Sequence, residues 1–194
     1  MAANSHSGSD SAANSMLPQS TANTALPDKA DLWRWSLLLY PEVKTISLAW
    51  QDQYGLNVNL LLLLWYLQRQ QLWCSSEQIQ LLHQSLTAQQ QFTLPLRQLR
   101  RRLPAGLDNE AAQQMKQALL QAELCSEQLE QQQLLATLSR CALIPAIPAA
   151  PTAPAAATAV SLVQTYLQWL GADINPTLQQ QIVDLDQKAT QLHF

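Results

Sequence analysis

The sequence predicts an all-α protein, a compact bundle of about six helices with a C-terminal αα-hairpin after an Ala/Pro linker. Three observations predict it. Only 4 of the 194 residues are glycine, too few for a chain of strands joined by tight turns. The polar surface is built from 28 glutamines, good uncharged helix formers, while charged residues make up 13% of the chain against the roughly 25% usual in globular proteins. Apolar residues recur every three or four positions between residues that cap or stop helices.

The elements follow in order. Residues 1–29 are rich in Ser, Ala, Asn and Thr with no apolar period and read as a disordered tail. Asp28 or Asp31 caps a first short helix ending near Tyr40, and Pro41 opens a second, where its missing N–H costs little. That second helix sets Val43, Ile46 and Trp50 on one face and stops at Gly55. Asn57 or Asn59 caps the third, whose run from Leu60 to Leu67 is apolar on every side and marks the central helix. Ser75 and Gln78 form a capping box for the fourth, which carries Ile79, Leu82 and Leu86. Pro95 opens the fifth, with Leu96, Leu99 and Leu103 inward and Arg97, Arg100 and Arg101 outward. Asp108 caps a long sixth helix that runs to about Cys141.

Residues 30–143 thus form a helical core, and residues 144–159 an Ala/Pro linker in which repeated proline favours extended chain. Residues 160–194 form a helical hairpin. Val163, Tyr166, Leu167 and Leu170 make its first stripe; Leu178, Ile182, Leu185, Ala189 and Leu192 make its second, at the spacing of a coiled-coil seam. Too small to be stable alone, the hairpin must pack on the core, pair with a second copy or bind a partner.

Composition narrows the function. A net charge of −3 argues against a bulk polyanion binder. Cys74, Cys125 and Cys141 are odd in number and widely spaced, which fits free thiols rather than disulfides or a metal site. His83 has no Cys or Glu at ligand spacing, so no metal is expected, and no phosphate loop, nucleophile elbow or zincin motif implies a catalytic residue or a cofactor. No positive region followed by an apolar run opens the chain, and Leu60 to Leu67 is too short to span a bilayer, which takes about 20 residues. A cytoplasmic protein with no membrane contact is therefore expected.

Two residue sets remain as candidate sites. Gln51, Asp52, Asn57 and Asn59 surround the Gly55 turn, and Arg34 is expected to pair with Asp52, making a polar site at the mouth of the bundle. Turn and capping chemistry accounts for most of that motif. Arg97, Arg100, Arg101 and Arg102 are four of the seven arginines and form a basic patch suited to RNA or phosphate. The competing account pairs them with Glu123, Glu127 and Glu130, which lie on one helical stripe. Five of the six tryptophans fall in residues 33–73 and read as core, but Trp33, Arg34 and Trp35 are consecutive and cannot all face inward.

Trp33-Arg34, Leu39-Tyr40, Leu48, Gln51-Asp52, Gly55, Asn57-Val58-Asn59-Leu60-Leu61-Leu62 and Trp65 form one set of anchors. Leu96-Arg97, Arg100-Arg101-Arg102-Leu103, Ala122-Glu123-Leu124, Glu127 and Glu130 form a second. Together they resemble the bacterial family of uncharacterised proteins called domain of unknown function 2390, over about residues 31–135. The resemblance implies a cytosolic bacterial protein and carries no activity. Function is therefore expected to be that of a non-catalytic protein-interaction or regulatory module with a protein partner. The alternatives are an RNA- or ribosome-associated accessory protein using the Arg97–Arg102 stripe, and a small-ligand binder or enzyme using a polar pocket around Asp52.

Overall fold

The computed structural model describes residues 27–103, 110–141, 143–145 and 160–192. Most of the expected tail, most of the Ala/Pro linker and the Asp108 cap lie outside the described residues. Seven helices are described: α1 Lys29–Tyr54, α2 Val58–Arg69, α3 Ser76–Ser85, α4 Thr87–Arg102, α5 Glu110–Leu138, α6 Leu162–Trp169 and α7 Pro176–Gln191. A two-residue antiparallel pair, β1 (Leu72–Trp73) with β2 (Ile144–Pro145), ties the end of α2 to the chain beyond α5.

The all-α class holds, but two helix boundaries differ from expectation. Residues 29–54 form one helix with Pro41 inside it, not two helices divided there. The buried stripe Leu32, Trp35, Leu39, Val43, Ser47 and Trp50 runs unbroken past the proline. Pro41 lies on the exposed side, and the carbonyl it leaves unpaired belongs to Leu37, whose side chain is 52% exposed, so water can satisfy it. Pro95 likewise lies inside α4 on its exposed side, and that helix begins eight residues earlier, at Thr87. A proline facing solvent weakens a helix; it ends one only where packing does not carry the chain onward.

The local stop and start signals behave as expected. Gly55 takes the left-handed conformation (φ 71°) and its N–H donates to the Gln51 carbonyl. Asn57 caps α2 by accepting from the Leu60 N–H at 2.9 Å, and Ser75 with Gln78 closes a capping box on α3. Asn175 accepts from the Leu178 N–H ahead of α7, with Pro176 in the first turn.

Helix α2 is buried from Val58 to Leu67 and is the axis of the molecule. It is packed against α1, α5, α6 and α7. Of the three fates left open for the hairpin, the structure shows packing on the core: Tyr166 and Leu167 of α6 and the Leu178, Ile182, Leu185, Ala189 seam of α7 share one apolar interior with Trp35, Trp50 and Trp65. Two tryptophan N–H groups fix the hairpin's seat: Trp50 Nε1 donates to Gln181 at 3.3 Å and Trp65 Nε1 to the Asp186 carboxylate at 2.7 Å. Among the described residues no helix is long and apolar enough to cross a membrane.

Candidate functional site

Helix α4 is rotated relative to expectation. Its buried positions are Thr93 and, half-buried, Arg97 and Arg100, while Leu99 is 46% exposed and Leu96 only partly covered. The partner helix decides this. α5 turns Glu123, Ser126, Glu127 and Glu130 toward α4 and the interior, and an apolar α4 face would leave those carboxylates without partners. Thr93 Oγ1 lies 2.7 Å from Ser126 Oγ. Arg97 donates to Glu123 at 3.0 Å, Glu127 at 2.7 Å and Gln51 at 3.2 Å, and Arg100 also grips Glu123.

Glu130, 2% exposed, meets no guanidinium; one of its oxygens accepts from Asn57 Nδ2 at 2.9 Å and from Asn59 Nδ2 at 2.8 Å. Gln131, one residue on, donates to Ser36 and to Asn59 Oδ1. The result is a polar layer between α1, α2, α4 and α5 holding three carboxylates and two guanidiniums. Burial opposes the charge on Glu123, but Arg100 and Arg97 outweigh it and hold its carboxyl below the usual range. Burial dominates at Glu127, helped by the negative charge of Glu123 and Glu130, and Arg97 offsets it only in part, so this carboxyl is raised. Burial and Glu127 likewise push up the Tyr40 phenol at the edge of the layer.

A second network joins the start of α2 to α3 and α6. The Asn57 backbone N–H donates to the Tyr166 hydroxyl at 2.9 Å, and that hydroxyl lies 2.7 Å from His83 Nδ1. A hydroxyl that accepts from an amide has its proton free for a ring nitrogen, so the geometry suits a neutral His83 accepting at Nδ1. Burial lowers the His83 pKa and raises that of Tyr166, in keeping with both staying uncharged.

The expected sites are thus redistributed. Arg34 does not reach Asp52. It lies 3.8 Å from Asp31, on the same helix but about 27 Å from Asp52 along the axis, because 18 residues of straight helix separate them. Asp52 is exposed, on the rim of an open depression of about 390 Å³ that Arg101 also borders. Gln51, Asn57 and Asn59 do come together, around Arg97 and Glu130. Of the basic patch, Arg101 and Arg102 are exposed and Arg97 and Arg100 are bound to carboxylates, so the outward position expected for Arg97 and Arg100 gives way to ion pairing. The sequence reading missed Ser36, Thr93, Ser126 and Gln131 as members of the layer and the tie from His83 to Tyr166. Only position on the helical stripe marks the first four, and no local signal marks the tie, which spans 83 residues.

Two surface features complete the inventory. Between α1 and α5 a cleft of about 90 Å³ is walled by Trp33, Leu37, Tyr40 and Leu124 and floored by Asn59 and Gln131. On the far side of the α4–α5 pair lies an apolar face: Phe92 is 69% and Leu129 56% exposed, and both border an open groove of about 450 Å³ with Ala88 and Ala136. Among the described residues no grouping of three or more His, Cys, Asp or Glu could hold a metal ion. The buried Cys74 thiol is pushed up to about 12 and carries no thiolate at neutral pH.

The fold and site define an all-α bundle organised around an apolar central helix and a buried layer of amides and ion pairs. The chain belongs to the family described as "Protein of unknown function (DUF2390)", whose model matches residues 31–134. The matched span runs from α1 to α5 and includes every member of the buried layer. Comparison with curated proteins and with solved structures found no match.

Proposed function

We propose that the protein is a non-catalytic, cytoplasmic interaction module that docks an amphipathic segment of a protein partner on the outer face of α4 and α5. The observation that carries this reading is the row of uncovered apolar residues on each of the two helices, with Phe92 and Leu129 bordering one groove. Ala88, Phe92, Leu96, Leu99 and Leu103 recur along α4 at helical spacing, and Met115, Ala118, Ala122, Cys125 and Leu129 along α5; all are exposed or only half-covered. An apolar strip of this kind bordered by polar residues is the usual mark of an interface. Helix-in-groove recognition fits two parallel ridges with a groove between them.

Charge selects the partner. α4 contains no acid, and the three acids in the middle of α5 are turned to the interior. Lys29 borders the groove, and Arg102 lies about 21 Å from Ala88 along α4. An apolar helix of about four turns with acids at both ends meets complementary charge. An RNA contact along Arg97 to Arg102 has less support, because two of the four guanidiniums are already bound to carboxylates.

A synthetic four-turn helix with one leucine stripe and glutamates at both ends tests the reading by calorimetry. It is expected to bind, and Phe92→Glu with Leu129→Glu is expected to abolish binding while leaving the melting curve in place, since both side chains face solvent. Equal affinity for a lysine-flanked version, or binding indifferent to the double substitution, would refute it. So would a concentration-dependent dimer that the double substitution dissolves, because the occupant of the face would then be a second copy.

A further inference from the structure

We infer that the cleft between α1 and α5 binds a small organic cation, an alkylammonium or guanidinium group. The hydrogen bonds around the cleft point to this class of ligand, independently of the α4–α5 face. The amide and guanidinium donors on the cleft's polar side are engaged: Asn59 Nδ2 donates to Glu130, Gln131 Nε2 to Ser36 and Asn59, and the guanidinium nitrogens of Arg97 to Glu123, Gln51 and Glu127, while the Ser36 and Tyr40 hydroxyls can accept as well as donate. Acceptors are left over. Gln131 is 3% exposed and its Oε1 has no hydrogen-bond partner; turning the amide over would set its oxygen against Asn59 Oδ1. Glu127, one helical turn before Gln131 on the same face of α5, engages Arg97 through a single oxygen. With the amide and guanidinium donors engaged and two acceptor oxygens spare, the cleft favours a ligand that donates.

Charge and shape narrow the class. The layer behind the cleft holds Glu123, Glu127 and Glu130 against Arg97 and Arg100, three acids to two bases, and Glu130 is met by amide donors alone. An anion entering here would face that excess, whereas a cation would offset it. Trp33 and Tyr40 are both half-buried on the α1 wall, and aromatic rings of this kind attract ammonium and guanidinium groups. A volume of about 90 Å³ is small for a ligand pocket and suits the tip of a ligand. Free amines and the side chain of a lysine or arginine share this chemistry.

The full chain, isotope-labelled, is titrated with ethylammonium chloride, guanidinium chloride, N-acetyl-lysine methylamide and N-acetyl-arginine methylamide at constant ionic strength. Ethanol and sodium acetate serve as the neutral and anionic counterparts, and the Trp33 indole N–H and the Gln131 backbone amide resonances are followed, the second serving for the Trp33→Leu variant. The cations are expected to move those resonances saturably. Glu127→Gln is expected to weaken binding by about tenfold, the loss of one charge-assisted hydrogen bond. Trp33→Leu, which removes the aromatic wall and leaves the charge layer intact, is expected to weaken it as well and stands as the second variant should Glu127→Gln unfold. Tighter binding of the capped amino acids points to a protein side chain as the source, and binding of the free amines alone to a metabolite; either supports the site. Equal response to ethanol or acetate, a Trp33 resonance that no cation moves, or unchanged affinity in folded Glu127→Gln or Trp33→Leu would overturn it.

Discussion

At the scale of single residues, the contact most exposed to solution conditions is that of His83 with the Tyr166 hydroxyl. The fold holds the imidazole neutral, so its folded pKa lies below the unfolded value of about 6.5. The unfolded chain therefore binds the extra proton first, and the stability tied to neutral His83 is present above that value and drains away as the pH falls through it toward the lower folded pKa. Glu127 and Asp186 act in the opposite sense. Burial raises both carboxyls, so their contribution is greatest below the unfolded carboxylate pKa and declines as the pH rises through the raised one. His83→Gln keeps an acceptor for Tyr166 without a titration. Urea melts between pH 5 and 7.5 (about one and a half units below to one above the free histidine value) are expected to show wild type losing stability on acidification relative to the variant. Parallel pH profiles would mean that the ring does not sit in the fold as a neutral acceptor.

At the scale of elements, a helix can carry two faces of different chemistry, and the sequence of that helix alone does not say which one is buried. α4 has an apolar stripe, Leu96, Leu99 and Leu103, and a polar one, Thr93, Arg97 and Arg100. Periodicity finds both stripes. The choice between them is made by α5, whose acidic stripe meets the polar one, so the expected orientation of α4 was reversed although its existence was legible. The caps were legible because each is a contact across three residues: Asn57 with Leu60, Ser75 with Gln78, Asn175 with Leu178. Pro41 and Pro95 were over-read. Each falls on a solvent-facing turn where one lost hydrogen bond is a cost and not a barrier. Pro41→Ala restores a donor for the Leu37 carbonyl and is expected to stabilise the protein by about 1–3 kcal/mol, read from chemical denaturation. A loss of stability instead would show that the proline shapes α1 to fit its neighbours.

At the scale of the whole molecule, the apolar interior is shared between segments far apart in the chain, and most of the candidate site is assembled the same way. Gln51, Asn57 and Asn59 were singled out by their turn chemistry, yet what they do depends on Arg97 and Glu130, which no spacing rule places beside them. Trp50 and Trp65, in α1 and α2, find their N–H partners in α7. Ending the chain after residue 159 removes α6 and α7, uncovers the α2 leucines and strands both indole N–H groups. Such a chain is expected to stay partly helical by circular dichroism and to lose the cooperative melt of the full protein; a sharp transition in the shortened chain would make the hairpin dispensable.

The Tyr166 hydroxyl carries a further consequence. The amide at the head of the central helix waits for a partner 109 residues downstream. During synthesis at roughly 5–20 residues per second, the ribosome has exposed α2 for several seconds before that phenol is made. For that interval the side of the greasiest segment that α6 and α7 cover lies open, which is when a chaperone would find most to hold.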